Sequence, residues 1–375
     1  VNYKAAFAIG AFYLFYFALV GVYIIFLPKS LYSSGYSATE VGIIFASAPL
    51  MRFLLPFIFR RYGGLNHKTY HLSLLLTTVA TLLFFISVDN FYMFFLVNLL
   101  YGASMGIILP FIDTIALKVI TKEHYGKVRL WGSIGFMGIA LWLGSMIQSS
   151  SQTLLYIFIL ATLTSVFGYI AGEYDNNSII DSSTTDNKSL SLSKYWAFWL
   201  SALLMQVSFG GFYNFFTIYE TAHGISLQMT TWLWSFGVLC EIAMLYFQSP
   251  LLKGNLLRLI EIATFAAVIR WLILWLYPDS LTMAFVAQSL HALNFALYYI
   301  ASIAYVYELY TQKKLAQQFF LGISFGLGGS IGAIIAGEIY EYAPDKLFLS
   351  QAFIAFVAWI MIRVHIKRRE GYESR

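Results

Sequence analysis

The chain has 375 residues, 59% of them hydrophobic and 11% charged, and its mean hydropathy is +0.72. A compact soluble chain needs a more polar skin than this, so soluble enzymes, secreted disulfide scaffolds and disordered proteins are excluded. One cysteine, Cys240, leaves neither a disulfide framework nor a cysteine-built metal site. The net charge of +5 is spread between apolar runs rather than gathered in a patch, which argues against nucleic acid and for a polytopic membrane protein with a basic cytoplasmic side.

A bilayer core takes about 20 apolar residues per helix. Windows of that length predict spans over 5–27, 38–59, 70–88, 91–112, 130–147 and 153–172. A second set covers 195–219, 228–248, 256–277, 281–307, 315–337 and 346–365. The first run is too long for a removed signal peptide and lacks its cleavage site; Val1 without Met reads as a processed, trimmed or alternative start. Dyad alternation, the barrel signature, is absent. Between the two sets lies EYDNNSIIDSSTTDNKSLSLSK, rich in Asp, Asn, Ser and Thr, which reads as a linker. The expected organisation is a six-helix bundle over 1–172, a cytoplasmic linker over 173–194, and a second six-helix bundle over 195–375 with a short cytoplasmic tail. With the N-terminus inside, only Lys29 and Lys346 among the basic residues fall in outer loops, so both termini are expected in the cytoplasm.

The halves repeat. Gly35-Tyr-Ser leads into span two as Gly224-Ile-Ser leads into span eight, and on that register Arg52 falls on Glu241. FFLVNLLYGA in span four parallels AFVAQSLHAL in span ten, pairing Asn98 with Gln288 and Tyr101 with His291. Gly132-Ser-Ile-Gly-Phe136 recurs as Gly329-Ser-Ile-Gly-Ala333. Two similar bundles about an axis along the membrane normal, with a site at their interface, is the major facilitator plan: an all-α membrane protein of twelve transmembrane helices in two pseudo-symmetric six-helix bundles.

Ionisable residues inside a bilayer are costly and mark pathways by default. Here they are Arg52, Asp113, Arg129, Glu241, Arg270 and His291. Asp113 can pair with Arg129 across one loop, and Glu241 with Arg270 on adjacent helices. Three arginines against two carboxylates leave a surplus positive charge when His291 is neutral, which an anionic substrate group would neutralise. The structural alternatives are snorkelling for Asp113 and Arg129, a gate contact for Arg52, and a satisfied core histidine for His291. Gln288, His291 and Asn294 share one face of span ten. Span seven carries Gln206, Asn214 and the aromatics Phe209, Phe212, Tyr213 and Phe216, a wall suited to an amphipathic ligand. An enzyme is not expected: the six histidines are scattered, and only His67 and His71 share an i,i+4 spacing. A receptor that kept the fold is the remaining non-transport reading. No metal or cofactor is implied, and nothing suggests an obligate oligomer, so a functional monomer is expected.

The strings YGKVRLWGS (125–133), LWSFGVLCEI (233–242), VIRW (268–271), SLHALNF (289–295) and GGSIG (328–332) resemble the 3-phenylpropionate permease family of the major facilitator superfamily, related to the oligosaccharide and nucleoside proton symporters. The resemblance implies proton-coupled uptake of a small organic solute, such as an aromatic monocarboxylate, across a bacterial inner membrane by alternating access; a sugar or nucleoside is the alternative cargo. It implies that Asp113 and Arg129 match the sugar-binding Glu–Arg pair of the more distant lactose permease, and that Glu241, Arg270 and His291 match its Glu, Arg and His on helices eight to ten. Where that permease carries a proton-bearing Glu, this chain has Asn294, which leaves Glu241, Asp113 or His291 to hold the proton, or no coupling. Arg270 or Arg129 would hold a carboxylate. A neutral cargo would use Asp113, Asn98, Gln206 and Gln288, with Phe136 as a stacking floor. The loop FRRYGGLNHK (59–68) keeps the basic and glycine character of the superfamily's gating signature without its usual Asp, so Arg60 and Arg61 join Arg52 as gating candidates.

Overall fold

The computed structural model describes residues 3–62, 66–120, 122–147, 149–174 and 191–373, and the regular structure among them is helix joined by short turns. The chain divides into two units, Val1–Thr185 and Asp186–Arg375. The first contains α1 (Tyr3–Ile25), α2 (Leu27–Ser33), α3 (Ala38–Tyr62), α4 (His67–Ser87), α5 (Phe91–Val119), α6 (Lys122–Leu143) and α7 (Ser150–Gly172). The second contains α8 (Trp196–Val207), α9 (Gly210–Ala222), α10 (Leu227–Phe247), α11 (Leu256–Leu276), α12 (Leu281–Ser289), α13 (Tyr298–Leu309), α14 (Lys313–Leu321), α15 (Gly329–Tyr342) and α16 (Leu347–Glu373).

These helices make twelve passes. α1 and α2 form one, bent at Phe26 just before Pro28. α8 and α9 form the seventh, interrupted at Ser208 and Phe209. Two further passes are single rods widened by π-helical turns, Ala292–Leu297 between α12 and α13 and Gly322–Gly328 between α14 and α15. Ten passes are continuous and apolar enough to cross a membrane by length and composition; the others are the broken α8–α9 and α6, which carries Lys127 and Arg129 near its start.

Several expected boundaries shift, among them the end of α16, which runs to Glu373 rather than 365. α5 runs to Val119 and α6 starts at Lys122, so the fourth and fifth spans each gain about two turns beyond the apolar windows. The α5 extension still falls within a candidate span, which runs through Val119, whereas α6, with Lys127 and Arg129 near its start, does not register as lipid-crossing; both stretches are helix. Asp113, expected at the inner part of span four, and Arg129, expected to open span five, therefore both lie about two turns inside their helices.

Packing inverts the soluble pattern. On α4, Leu72, Leu75, Val79, Leu82 and Ile86 are exposed, whereas Ser73, Thr77 and Thr81 are buried. Small hydroxyl residues let helices approach and bond across, as Thr77 does to Ser104 (2.8 Å) and Thr78 to Ser165 (2.9 Å). The same backbone devices recur in both halves. Gly35 (φ 102°) and Gly224 (φ 84°) make the left-handed turns that L side chains avoid. Two residues on, Ser37 and Ser226 cap the next helix by accepting from the N–H of Glu40 (3.1 Å) and Met229 (3.2 Å). The repeated Gly-Ser-Ile-Gly strings act alike too: a Cβ on Gly135 would lie 2.0 Å from the Leu14 carbonyl oxygen of α1, and one on Gly332 would lie 2.6 Å from that of Val207 in α8.

Backbone cannot yield as a side-chain tip can, so overpacking at these two contacts should cost about 1–3 kcal/mol each. We expect Gly135→Ala and Gly332→Ala to melt below the parent in detergent, while Gly138→Ala, where a Cβ meets nothing within 4 Å, does not. Equal melting of all three would show that the close approaches do not hold the bundles.

Candidate substrate and proton site

Arg270 lies on α11 with no solvent exposure. Its Nη1 donates to His291 Nδ1 (2.8 Å) and Asn294 Oδ1 (3.1 Å), and its Nη2 donates to Gln288 Oε1 (2.6 Å). The guanidinium also lies over the rings of Phe212 (4.2 Å) and Trp271 (4.7 Å). Its Nε has no acceptor, and the Nε2 of Gln288 and Nδ2 of Asn294 are likewise buried without partners among the described residues. The polar stripe read from span ten is thus brought together on one cation.

The expected Glu241–Arg270 pair takes a different form, with His291 standing between. Glu241 Oε2 is 3.8 Å from His291 Nε2, while Arg270 holds the opposite ring nitrogen. A guanidinium only donates, so Nδ1 must accept, and the proton of the neutral imidazole sits on Nε2, facing Glu241. The ring is stacked on Phe295 (4.9 Å, 6° between planes), with Phe212 at 5.6 Å. The π-helical turn begins just after His291. Such turns relax the helical ladder and are frequent at functional positions. Gly237 of α10 makes the cluster compact: a Cβ there would lie 3.2 Å from Gln288 Oε1.

The span-seven residues separate. Gln206 on α8 is 3% exposed and its Nε2 finds no acceptor. Asn214 spends its amide on its own helix, donating to the Gly210 carbonyl (2.8 Å). Phe209 and Phe212 join the Arg270 cluster; Phe216 packs edge-on against Trp234.

In the first half Tyr13 links Asp113 and Arg129. Its hydroxyl donates to Asp113 Oδ1 (2.5 Å), and that of Tyr125 reaches the same oxygen at 3.5 Å. The Arg129 guanidinium covers the rings of Tyr13 (4.8 Å) and Phe17 (4.3 Å), so carboxylate and cation share an aromatic intermediary. Asn98 is fully buried; it accepts from Tyr23 (3.0 Å) and donates to the Ile44 carbonyl and Ser47 (2.8 Å each). That ties α5 to α1 and α3 and leaves little capacity for a ligand. Phe136 is half-buried beside Gly21 of α1. Arg52 is exposed, its stem near Gly106 of α5. The side chains of Arg60 and Arg61 lie outside the described residues.

Sequence reasoning missed Tyr13, Tyr125 and Phe17, which carry the Asp113–Arg129 cluster. In a chain with 27 tyrosines and 34 phenylalanines nothing distinguishes Tyr13 and Phe17 by pattern, and Tyr125 stood only as the first residue of the YGKVRLWGS string. It also missed Gly237 and the π-helical turn, although both lie in or beside strings that had been singled out.

The chain matches the model of the MFS_1 like family over residues 7–350. It is 25% identical over 364 residues to a probable 3-phenylpropionic acid transporter of Escherichia coli (strain K12), covering 93% of this chain and 95% of that one. An uncharacterized transporter of Bacillus subtilis (strain 168), YwbF, is 25% identical over 354 residues, covering 89% and 86%. In fold, the chain is similar to the crystal structure of the nucleoside transporter NupG, with a TM-score of 0.78 at 16% identity over 98% of this chain and 100% of that one. A bacterial homologue of the human lysosomal transporter Spinster gives 0.71 at 12% identity over 96% of each.

The part-buried Tyr13–Asp113 bond should contribute about 1 kcal/mol, and leaving its acceptor unpaired should cost about 1–3 kcal/mol. We expect Tyr13→Phe to lower the melting temperature of the purified protein measurably and Tyr125→Phe, at its longer distance, to lower it less. The reverse order would mean that Tyr13 is not the principal donor to Asp113.

Proposed function

The chain belongs to the MFS_1 like family of secondary transporters, and from that premise we propose that it carries a small aromatic monocarboxylate into a bacterial cell together with protons, by alternating access. Localisation to the inner membrane, with both termini cytoplasmic and the monomer as working unit, is part of this reading. The observation that carries it is the state of Arg270: a fully buried guanidinium whose three hydrogen bonds go to neutral acceptors, with two of its five N–H groups, on Nε and Nη2, left over.

A buried cation of this kind favours an anionic ligand over a sugar. Nε and Nη2 form one edge of the planar guanidinium, and that edge is held only by Gln288. A substrate carboxylate docking there displaces one carboxamide oxygen and gains two parallel charge-assisted bonds. Gln288 can give way because its own Nε2 has no partner to lose. The rings of Phe209, Phe212 and Phe295 supply apolar surface for the aromatic end of the cargo. The name of the Escherichia coli relative supports the same class of solute. Glu241 and His291 supply the protonatable groups beside the anion site, and Asp113 with Arg129 is a second candidate pair.

In proteoliposomes with an inward proton gradient, labelled 3-phenylpropionate should accumulate and excess maltose or uridine should not compete. Competition by either neutral solute, with none by aromatic acids, would replace this cargo with a sugar or nucleoside. Arg270→Lys keeps the charge but loses the two-pronged edge. It should weaken apparent affinity for 3-phenylpropionate about tenfold or more; an unchanged affinity would remove Arg270 from the site. A C-terminal fluorescent fusion should be bright and a phosphatase fusion silent, as for a cytoplasmic end; the opposite pattern would invert the topology.

A further inference from the structure

We infer that the coupling proton is carried on Nδ1 of His291, and that the substrate's carboxylate opens that position by drawing Arg270 away from it. The inference rests on the carboxylate–proton symport reading above and assigns the proton to one atom.

One nitrogen cannot both accept from Arg270 and hold a proton. In the structure Nδ1 accepts from Nη1 at 2.8 Å, so a second proton on the ring would set N–H against N–H and cation against cation. The empty-handed form of the site is therefore Arg270 bound to a neutral imidazole. When a carboxylate takes the Nε–Nη2 edge, it pulls the guanidinium toward itself and cancels its charge. The Nη1–Nδ1 bond then competes with the new pair, while Asn294 keeps its hold on Nη1 (3.1 Å). Once Nη1 leaves, the Nδ1 lone pair takes an excess proton arriving from the aqueous side as hydronium, which is left as water. The imidazolium so formed already has its other N–H aimed at Glu241 Oε2, 3.8 Å away, and its face on Phe295.

The ionisable groups facing His291 are few. α11 presents Arg270 and α10 presents Glu241, while α9 and the residue before it present the rings of Phe212 and Phe209. Tyr213 of α9 acts electrostatically on Arg270. Within its own pass the neighbours are the neutral amides of Gln288 and Asn294. No group in this set other than Glu241 offers the imidazolium a counter-charge.

The anion and the proton thus enter as a neutral pair, each favouring the other, which is coupling expressed as differential binding. Asn294 fits this arrangement. A carboxylate at that position would pair with Arg270 permanently and compete with the substrate for it; an amide holds the guanidinium without cancelling its charge.

The test is proton uptake on binding, read with a pH dye in weakly buffered detergent at neutral pH, with 3-phenylpropionate as the probe. The parent protein should take up a proton as it binds. His291→Asn, whose Oδ1 retains an acceptor for Arg270, should still bind, at altered affinity, with proton uptake lost. Glu241→Gln should bind with uptake reduced but present, because it removes the counter-charge and not the proton's seat. Binding by the parent without uptake would overturn the symport reading itself. Uptake by the parent that persists in His291→Asn would leave symport standing and overturn the assignment to His291. If His291→Asn does not bind, Glu241→Gln decides: partial uptake supports His291, and complete loss with binding intact moves the proton to Glu241.

Discussion

A guanidinium in the interior of a membrane protein constrains everything packed around it. Transfer of such a charge from water costs several kcal/mol even after relaxation, and a bilayer offers no water to soften the cost. At Arg270 the compensation consists of three hydrogen bonds to uncharged acceptors and two aromatic faces. The nearest carboxylate of the cluster is one residue removed, beyond His291. The surrounding helices serve this arrangement. Gly237 admits α10 close to Gln288, Trp271 packs edge-on against Phe209 (5.1 Å), and a π-helical turn follows His291 directly. The cluster compensates its cation with uncharged groups, the arrangement on which the carboxylate reading rests.

The first half meets the same constraint with the opposite sign. Asp113 is held by phenolic donors and Arg129 by aromatic faces, with Tyr13 serving both. Backbone devices are shared between the halves: the turn glycines 35 and 224, the capping serines 37 and 226, and the glycines 135 and 332 that admit a neighbouring carbonyl. The chemistry is not shared. Asn98, which matches Gln288 in the repeat, is spent on tying helices together, whereas Gln288 keeps a free N–H beside the cation. The halves are alike in their scaffold and differ at the handful of positions that gather around Arg270.

The scaffold was legible in the sequence because lipid reads composition directly: about twenty apolar residues make a span, and the Gly-x-Ser turns and Gly-Ser-Ile-Gly strings repeat in order. The end of α5 and the start of α6 were not legible, since helix there continues past Asp113 and begins before Arg129, the charged residues at which the apolar windows stop. Arg270, His291 and Gln288 were found because ionisable and amide side chains are rare enough in such spans to stand out. What escaped was the relation among them. Spacing places Glu241, Arg270 and His291 on neighbouring helices, but which of them lies in the middle depends on side-chain directions that one-dimensional spacing does not hold. Tyr13 escaped for a different reason, being one aromatic among many in a chain that uses aromatics mostly as filler.

The central claim is that Arg270 waits for an anion, and it is tested most directly by calorimetric titration of the purified protein with 3-phenylpropionate and with its neutral amide at one pH. The two ligands share ring, chain and shape and differ in charge. The account predicts that the acid binds and that the amide binds at least about tenfold more weakly, because only the acid supplies the charge-assisted pair. Equal affinities for acid and amide would contradict it and return Arg270 to a purely structural role.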